Sequence, residues 1–281
     1  MDDARRMRAA LALAERGRGR TVPNPNVGCV IVADGRVVGR GWTQPGGRPH
    51  AEAMALAEAG EKSRGATCYV TLEPCAHRSE RGPACSDLLA AAGVARVVAA
   101  IEDPDPRTAG AGFARLRAAG IAVTTGIEAD AARRSMAGFL TRAALGRPFV
   151  TLKLATSLDG CIARSDGESR WITGAEARAH AHLERARHEA ILVGRGTLAA
   201  DAPRLDVRLA GLEDRSPQRV VLSTATTYCS PAEAGAQLGD ERASIAGTSP
   251  TGPRPSPGNR EVGDWIILPS PTAIAELPGD H

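Results

Sequence analysis

His50, Glu52, Cys75 and Cys85 are the residues whose types and spacing in this sequence can do chemistry. They occur as His50-Ala51-Glu52, then Pro74-Cys75, then Cys85 after nine intervening residues. One imidazole and two thiolates are three protein ligands for tetrahedral Zn2+. They leave a fourth position open to water, which is the pattern of a catalytic site. Zinc brings the pKa of water toward neutrality. Glu52 as a fourth ligand would close that position. Its expected role is therefore proton shuttle, from water to a ring nitrogen and then to leaving ammonia. The chemistry is hydrolytic deamination of a small heterocyclic amine.

Each element alone has a plainer reading. A lone His-x-Glu is usually a surface helix start, and two cysteines ten apart are usually buried or free. Together, each at the start of a helix, they point to zinc. The cysteine gap exceeds that of the short-gap deaminase signature. The loop His77 to Ala84 must then fold back, with Gly82 and Pro83 making the turn. His77 within it is a competing ligand or, better, a substrate contact.

The elements that position these residues alternate between helix and strand. Asp3 to Arg16 has helical spacing, and Val27 to Val32 is a compact apolar run. The step Asp34-Gly35 between that run and Val37-Val38-Gly39 signals a hairpin. Glu52 to Ala59 reads as an alanine-rich helix stopped at Gly60. Cys68 to Leu72 is a strand, Ser86 to Ala92 a helix, Val94 to Ile101 a strand. Phe113 to Ala119 and Ile121 to Ile127 add one more helix–strand pair. This predicts an α/β layer with a partly parallel sheet. The segment Ala144 to Pro148 is a plausible boundary, giving domains 1–146 and 147–281. After it the pattern restarts with strands at Phe149 to Ala155, Ala190 to Gly194, Arg219 to Leu222 and Trp265 to Leu268, and a helix at Ala175 to His188. The Gly/Pro/Ser-rich stretch 247–258 is expected to be a flexible loop.

Composition excludes other classes. A net charge of +3 and 3% aromatics argue against a nucleic-acid groove or stacking platform. No apolar run reaches membrane-spanning length, and Met1 to Arg8 lacks a signal-peptide core, so a cytoplasmic protein is expected. Of the six cysteines, Cys29 and Cys68 sit in apolar runs and read as small core residues; a disulfide framework is not expected.

Longer motifs carry a resemblance. Thr21-Val22-Pro23-Asn24-Pro25-Asn26-Val27-Gly28, Pro49-His50-Ala51-Glu52, Thr71-Leu72-Glu73-Pro74-Cys75-Ala76-His77 and Glu102-Asp103-Pro104-Asp105-Pro106 resemble the bifunctional riboflavin-biosynthesis deaminase/reductase family. Lys153 to Gly160, Gly167 to Thr173 and Val193 to Thr197 resemble its reductase part. The resemblance runs from about residue 3 to about 222. It implies a cytidine-deaminase-like three-layer α/β/α domain followed by a dihydrofolate-reductase-like α/β domain. The implied substrate is 2,5-diamino-6-ribosylamino-4(3H)-pyrimidinone 5′-phosphate, deaminated to an aminouracil whose ribose is then reduced with NADPH. By position, Asn24 would hold the pyrimidine and Arg81 its phosphate. In the second half the resemblance carries over Ser169, Arg185, Leu205 and Arg208 as substrate positions, and Lys153, Ala155, Trp171, Thr197 and Asp201 as cofactor positions.

The family's Glu-x-Gly-Gly-like segment and closing strands find no counterpart after Leu268. An incomplete reductase is therefore expected, and a homo-oligomer would cover the unfinished sheet. A nucleic-acid base deaminase and a non-catalytic zinc scaffold are the rivals. Low charge opposes the first, and Glu52 opposes the second. A fully bifunctional enzyme remains the main variant.

Overall fold

The computed structural model describes residues 3–77 and 80–222, and the backbone of 260–262 and 265–268. It forms two compact units, dividing between Phe149 and Val150, three residues beyond the boundary at 146/147. The stretch 247–258 and Cys229 lie outside the described residues.

The first unit is built on a five-stranded sheet in the order β2-β1-β3-β4-β5. Its strands are β1 (Gly28–Ala33), β2 (Arg36–Trp42), β3 (Thr67–Val70), β4 (Arg96–Ala99) and β5 (Ala122–Thr125). The β1–β2 and β1–β3 pairs are antiparallel, whereas β3, β4 and β5 run parallel. The hairpin turn falls on Asp34 and Gly35, with φ of 49° and 76°. Positive φ at both central residues is what a tight right-twisted hairpin needs, and Asp-Gly supplies it.

Helices cover both faces. α1 (Asp3–Ala14) buries Met7, Ala10 and Ala14 along one stripe. α2 (Ala51–Ala59) buries Ala51, Ala55 and Ala59 in the same manner. A Cβ on Gly28 would meet the Ala10 carbonyl, and one on Gly41 the Ala51 carbonyl. Gly41 pairs with Cys29, the neighbour of Gly28, so the two helices lie on opposite faces. α3 (Cys85–Ala92) packs beside α2, and α4 (Ala111–Ala118) beside α3 and β5. α5 (Ala129–Ser135) returns to α1, followed by α6 (Ala137–Leu145). The layers are thus α/β/α, around a core of Val30, Ile31, Tyr69, Val70, Val97 and Val98. The sequence reading had no helix at α5 or α6.

The second unit has a four-stranded sheet in the order β6-β7-β9-β8. The strands are β6 (Ala190–Gly194), β7 (Gln218–Leu222), β8 (Arg260–Val262) and β9 (Trp265–Leu268). Among the described residues, α7 (Ala175–Arg185) and α8 (Arg195–Asp201) accompany it. The strand expected at Phe149 to Ala155 does not form. Val150, Leu152 and Leu154 are 66%, 79% and 64% exposed, and the segment has no ladder partner among the described residues. β-branched and apolar residues make a strand only where a partner takes up the backbone hydrogen bonds.

Candidate metal centre

His50 is the N-cap residue of α2, and Cys85 is the first residue of α3. Cys75 follows the end of β3. Two helix N-termini therefore face one point, and their partial positive charge favours thiolate. The donor atoms of His50, Cys75 and Cys85 all lie within 4.8 Å of one another. His50 Nδ1 is 3.6 Å from Cys75 Sγ and 3.3 Å from Cys85 Sγ. Ordinary zinc bond lengths on a tetrahedron separate N and S by about 3.5 Å. The donor set fits that ion in type and spacing.

Cys75 is pushed down to about 4, first by the hydrogen bond from the Cys85 thiol and then by His50. Cys85 is raised in turn by the same bond and by burial. A divalent cation would hold both as thiolates. The Cys75 sulfur also accepts the Cys85 N–H at 3.3 Å, and Ser86 Oγ donates to the Cys75 carbonyl at 3.0 Å. These bonds fold the ten-residue step back on itself. Arg78 and Ser79 of this loop lie outside the described residues.

Glu52, in the first turn of α2, is 3% exposed. Burial pushes its carboxyl up to about 7, and the Cys75 charge adds to the rise. That value is near the operating pH, where a group that must both take and give a proton works best. Asn24 Nδ2 donates to the Gly47 carbonyl at 2.8 Å and lies 3.1 Å from His50 Nε2. Arg81 donates to the Gly46 carbonyl at 2.6 Å, at the edge of the same loop pair. His77 Nδ1 sits 3.4 Å from Thr108 Oγ1 and does not join the three donors. Cys29 and Cys68 are fully buried, with sulfurs 3.4 Å apart on the sheet.

In the second unit, Arg185 and the backbone of Arg208 approach a residue the sequence reading missed, His182. Arg185 Nη1 lies 3.2 Å from His182 Nδ1 and donates to the Asp206 carbonyl at 3.2 Å. The Arg208 N–H approaches the same Nδ1 at 3.2 Å. Burial and then Arg185 hold the His182 pKa down. Leu205 is buried with φ of 55°, an uncommon backbone state for leucine. A cavity of about 330 Å³ opens beside it, lined by Arg204, Leu205, Asp206 and Ser216 among others. Thr197 and Asp201 lie exposed on α8. Asp201 approaches Arg170 at 4.0 Å. Trp171 is 73% exposed under the Arg178 guanidinium, 4.3 Å from the ring centre. Lys153 and Ser169 are exposed, and Ala155 half-buried. Among the described residues, no hydrogen bond or ion pair joins these five cofactor positions and Ser169 to one another.

Residues 1–101 match the cytidine and deoxycytidylate deaminase zinc-binding region, and residues 148–247 match the RibD C-terminal domain. The riboflavin biosynthesis protein RibD of Escherichia coli (strain K12) is 52% identical over 216 residues, 77% of this chain and 59% of that protein. RibD of Aquifex aeolicus (strain VF5) is 46% identical over 220 residues, 78% of this chain and 61% of that protein. The chain thus spans about three fifths of the length of these relatives. Among solved structures, the Thermotoga maritima diaminohydroxyphosphoribosylaminopyrimidine deaminase/5-amino-6-(5-phosphoribosylamino)uracil reductase aligns with a TM-score of 0.73 at 42% identity. That alignment covers 79% of this chain and 63% of the other. Acinetobacter baumannii RibD, form 1, aligns with a TM-score of 0.70 at 46% identity, covering 78% and 63%. By motif, fold and kinship the chain belongs to the RibD family of riboflavin-biosynthesis proteins.

Proposed function

We propose that the first unit catalyses hydrolytic deamination of 2,5-diamino-6-ribosylamino-4(3H)-pyrimidinone 5′-phosphate to 5-amino-6-(5-phosphoribosylamino)uracil. The observation that carries this reading is the convergence of His50, Cys75 and Cys85 beside the buried Glu52. Zinc held by those three residues would supply water activated at neutral pH. Glu52 takes one proton from the attacking water and gives it to the ring nitrogen. It then takes the remaining proton from the new hydroxyl on carbon and gives it to the amino group, which leaves as ammonia as the C–N bond breaks and the C=O forms. Its burial keeps bulk solvent from competing for that proton. Asn24 orients His50 and offers the pyrimidine a donor and an acceptor. Arg81 suits the substrate phosphate, as a planar donor at the mouth of the loop pair.

The second unit is read as an incomplete reductase-like domain, and reduction of the ribose with NADPH belongs to the alternative, fully bifunctional reading. Ser169, Arg185, Leu205 and Arg208 would meet the substrate, and Lys153, Ala155, Trp171, Thr197 and Asp201 the cofactor. The Arg185 guanidinium beside His182 supports a substrate anion there. A cytoplasmic location and a homo-oligomer complete the proposal, with no nucleic-acid or membrane partner. No helix among the described residues is long and apolar enough to cross a membrane.

The test is ammonia release from the diaminopyrimidinone phosphate, with and without NADPH, at known zinc content. Release by wild type and none by Glu52→Ala supports the deaminase. NADPH oxidation that saturates supports the reductase, and its absence removes that part alone. A zinc-loaded wild type that releases no ammonia sinks the deaminase reading.

A further inference from the structure

Glu73 is a buried acidic residue that the proposed reaction does not use. It is 2% exposed and stands two residues before Cys75. Oε2 accepts the N–H of Asp103 at 3.2 Å and of Gly110 at 2.9 Å. Oε1 accepts the N–H of Phe113 at 3.1 Å. The Glu73 N–H in turn donates to the Ile101 carbonyl at 3.0 Å. Gly110 is the N-cap residue of α4 and brings no side-chain cap, so Glu73 caps this helix from another element. The approach is close. A Cβ on Gly112 would stand 2.0 Å from the Pro74 carbonyl oxygen and 3.0 Å from Glu73 Oε1.

These bonds tie two loops into one piece. On one side is the ligand loop, where Cys75 is bonded through its carbonyl and sulfur to Ser86 and Cys85. On the other is the 103–110 loop, whose Thr108 reaches His77. The three backbone donors need two acceptor oxygens on one side chain. An amide of the same length offers one oxygen and turns an NH2 group toward the remaining N–H groups.

We propose that Glu73 is a positioning residue that sets the Cys75 ligand and the 103–110 wall in register with each other. It acts on metal and substrate through those loops and touches neither. The inference rests on the zinc-deaminase reading above.

The experiment uses the full chain as Glu73→Gln, Glu73→Asp and Leu116→Val. Leu116 is fully buried on α4 and makes no bond to Glu73, so its variant reports a general loss of stability on the same helix. Zinc affinity is measured by competition with a chromophoric chelator, together with Tm and with kcat and KM for ammonia release. Glu73→Gln is expected to weaken zinc binding about tenfold or more, as loss of outer-sphere support does, and to raise KM. Glu73→Asp, which keeps both oxygens on a shorter stem, falls between it and wild type. Leu116→Val lowers Tm while zinc affinity and KM stay within about twofold. Should Glu73→Gln fail to fold, the comparison of Glu73→Asp with Leu116→Val decides. A Glu73 variant that loses Tm yet keeps its zinc affinity and KM overturns the proposal, as does a Leu116→Val that reproduces the zinc loss. A wild type that binds zinc but releases no ammonia refutes the substrate reading, and the zinc comparison still judges Glu73.

Discussion

Gly41 of β2 lies so near Ala51 of α2 that a Cβ on the glycine would stand 2.0 Å from the Ala51 carbonyl oxygen. Gly39, two residues earlier on the same face, meets the Ala55 carbonyl at 2.1 Å in the same construction. Two bare positions on the strand let the alanine stripe of α2 rest on backbone. The depth of α2 sets where His50 and Glu52 stand. Gly41→Ala must push the helix outward, since neither backbone can yield as a side chain can. We expect it to cost about 1–3 kcal/mol, as overpacking does, and to lower kcat/KM for ammonia release by tenfold or more. Gly138 has open space around its missing Cβ. Gly138→Ala, within α6, should be neutral or stabilising by up to about 1 kcal/mol. Paired melting curves and rates check the contrast, and equal effects at both glycines would refute it.

Glu52→Gln keeps the shape of the side chain and removes its capacity to shuttle a proton. The expected loss in kcat is about 10²–10⁴-fold, with one zinc per chain retained. Stability should hold or rise, because burial works against the ionised carboxyl, whose pKa it lifts to about 7. A variant that keeps wild-type turnover would remove Glu52 from the chemistry. One that loses its zinc would instead make it a ligand.

The three donors belong to separate elements, so an ion on them ties α2, α3 and the end of β3 together. Ligand binding to the folded state stabilises by mass action. Dialysis against a strong chelator should abolish ammonia release and lower Tm, with both restored by one equivalent of zinc. Cys85→Ser should bind zinc far more weakly. Cys68→Ala should bind it as wild type does, since Cys68 stands with Cys29 on the sheet, apart from the three donors. Zinc lost equally from both variants would show that the cysteine assignment is wrong.

The parts of this arrangement written in local spacing were legible from sequence. Asp34-Gly35 announces its hairpin, the alanine stripe of α2 its buried face, and His-x-Glu with two cysteines its donor set. What escaped depends on neighbours distant in the chain. Glu73 reads as an ordinary residue of a Leu-Glu-Pro-Cys run until the N–H groups of Asp103, Gly110 and Phe113 are seen around it. A buried-strand end followed by Glu-Pro and a later glycine-rich helix start was the available signal. His182 had only the ordinary one-turn spacing to Arg185 on α7. Its distant partner, the Arg208 N–H, meets it only once the 205–208 segment returns to that helix. The opposite error occurred at Phe149 to Ala155, where composition favours a strand and no described partner takes it up.

The N-terminus of α1 offers a pH prediction with a definite sign. Asp3 accepts from Arg96 at 2.8 and 3.2 Å and from the Tyr69 hydroxyl at 2.9 Å. The bond from Arg96 is the largest cause holding the Asp3 carboxyl below its ordinary value, and Tyr69 is pushed up to about 12 by burial and by Asp3. A carboxyl with a depressed folded-state pKa adds stability above its unfolded pKa of about 4 and loses it as pH falls through the folded value. The pair is part-exposed, with side-chain exposures of 34% and 23%, so screening limits it to about 1 kcal/mol. Asp3→Asn should therefore melt lower than wild type at pH 7 by a few degrees at most. The gap should close as the pH drops below about 4, where wild type loses the same interaction. The rise of Tyr69 lies too high to contribute at neutral pH. Melting curves from pH 7 to pH 3 at low salt decide the matter, and a gap that persists unchanged at pH 3 would mean that Asp3 supports α1 by shape and not by charge.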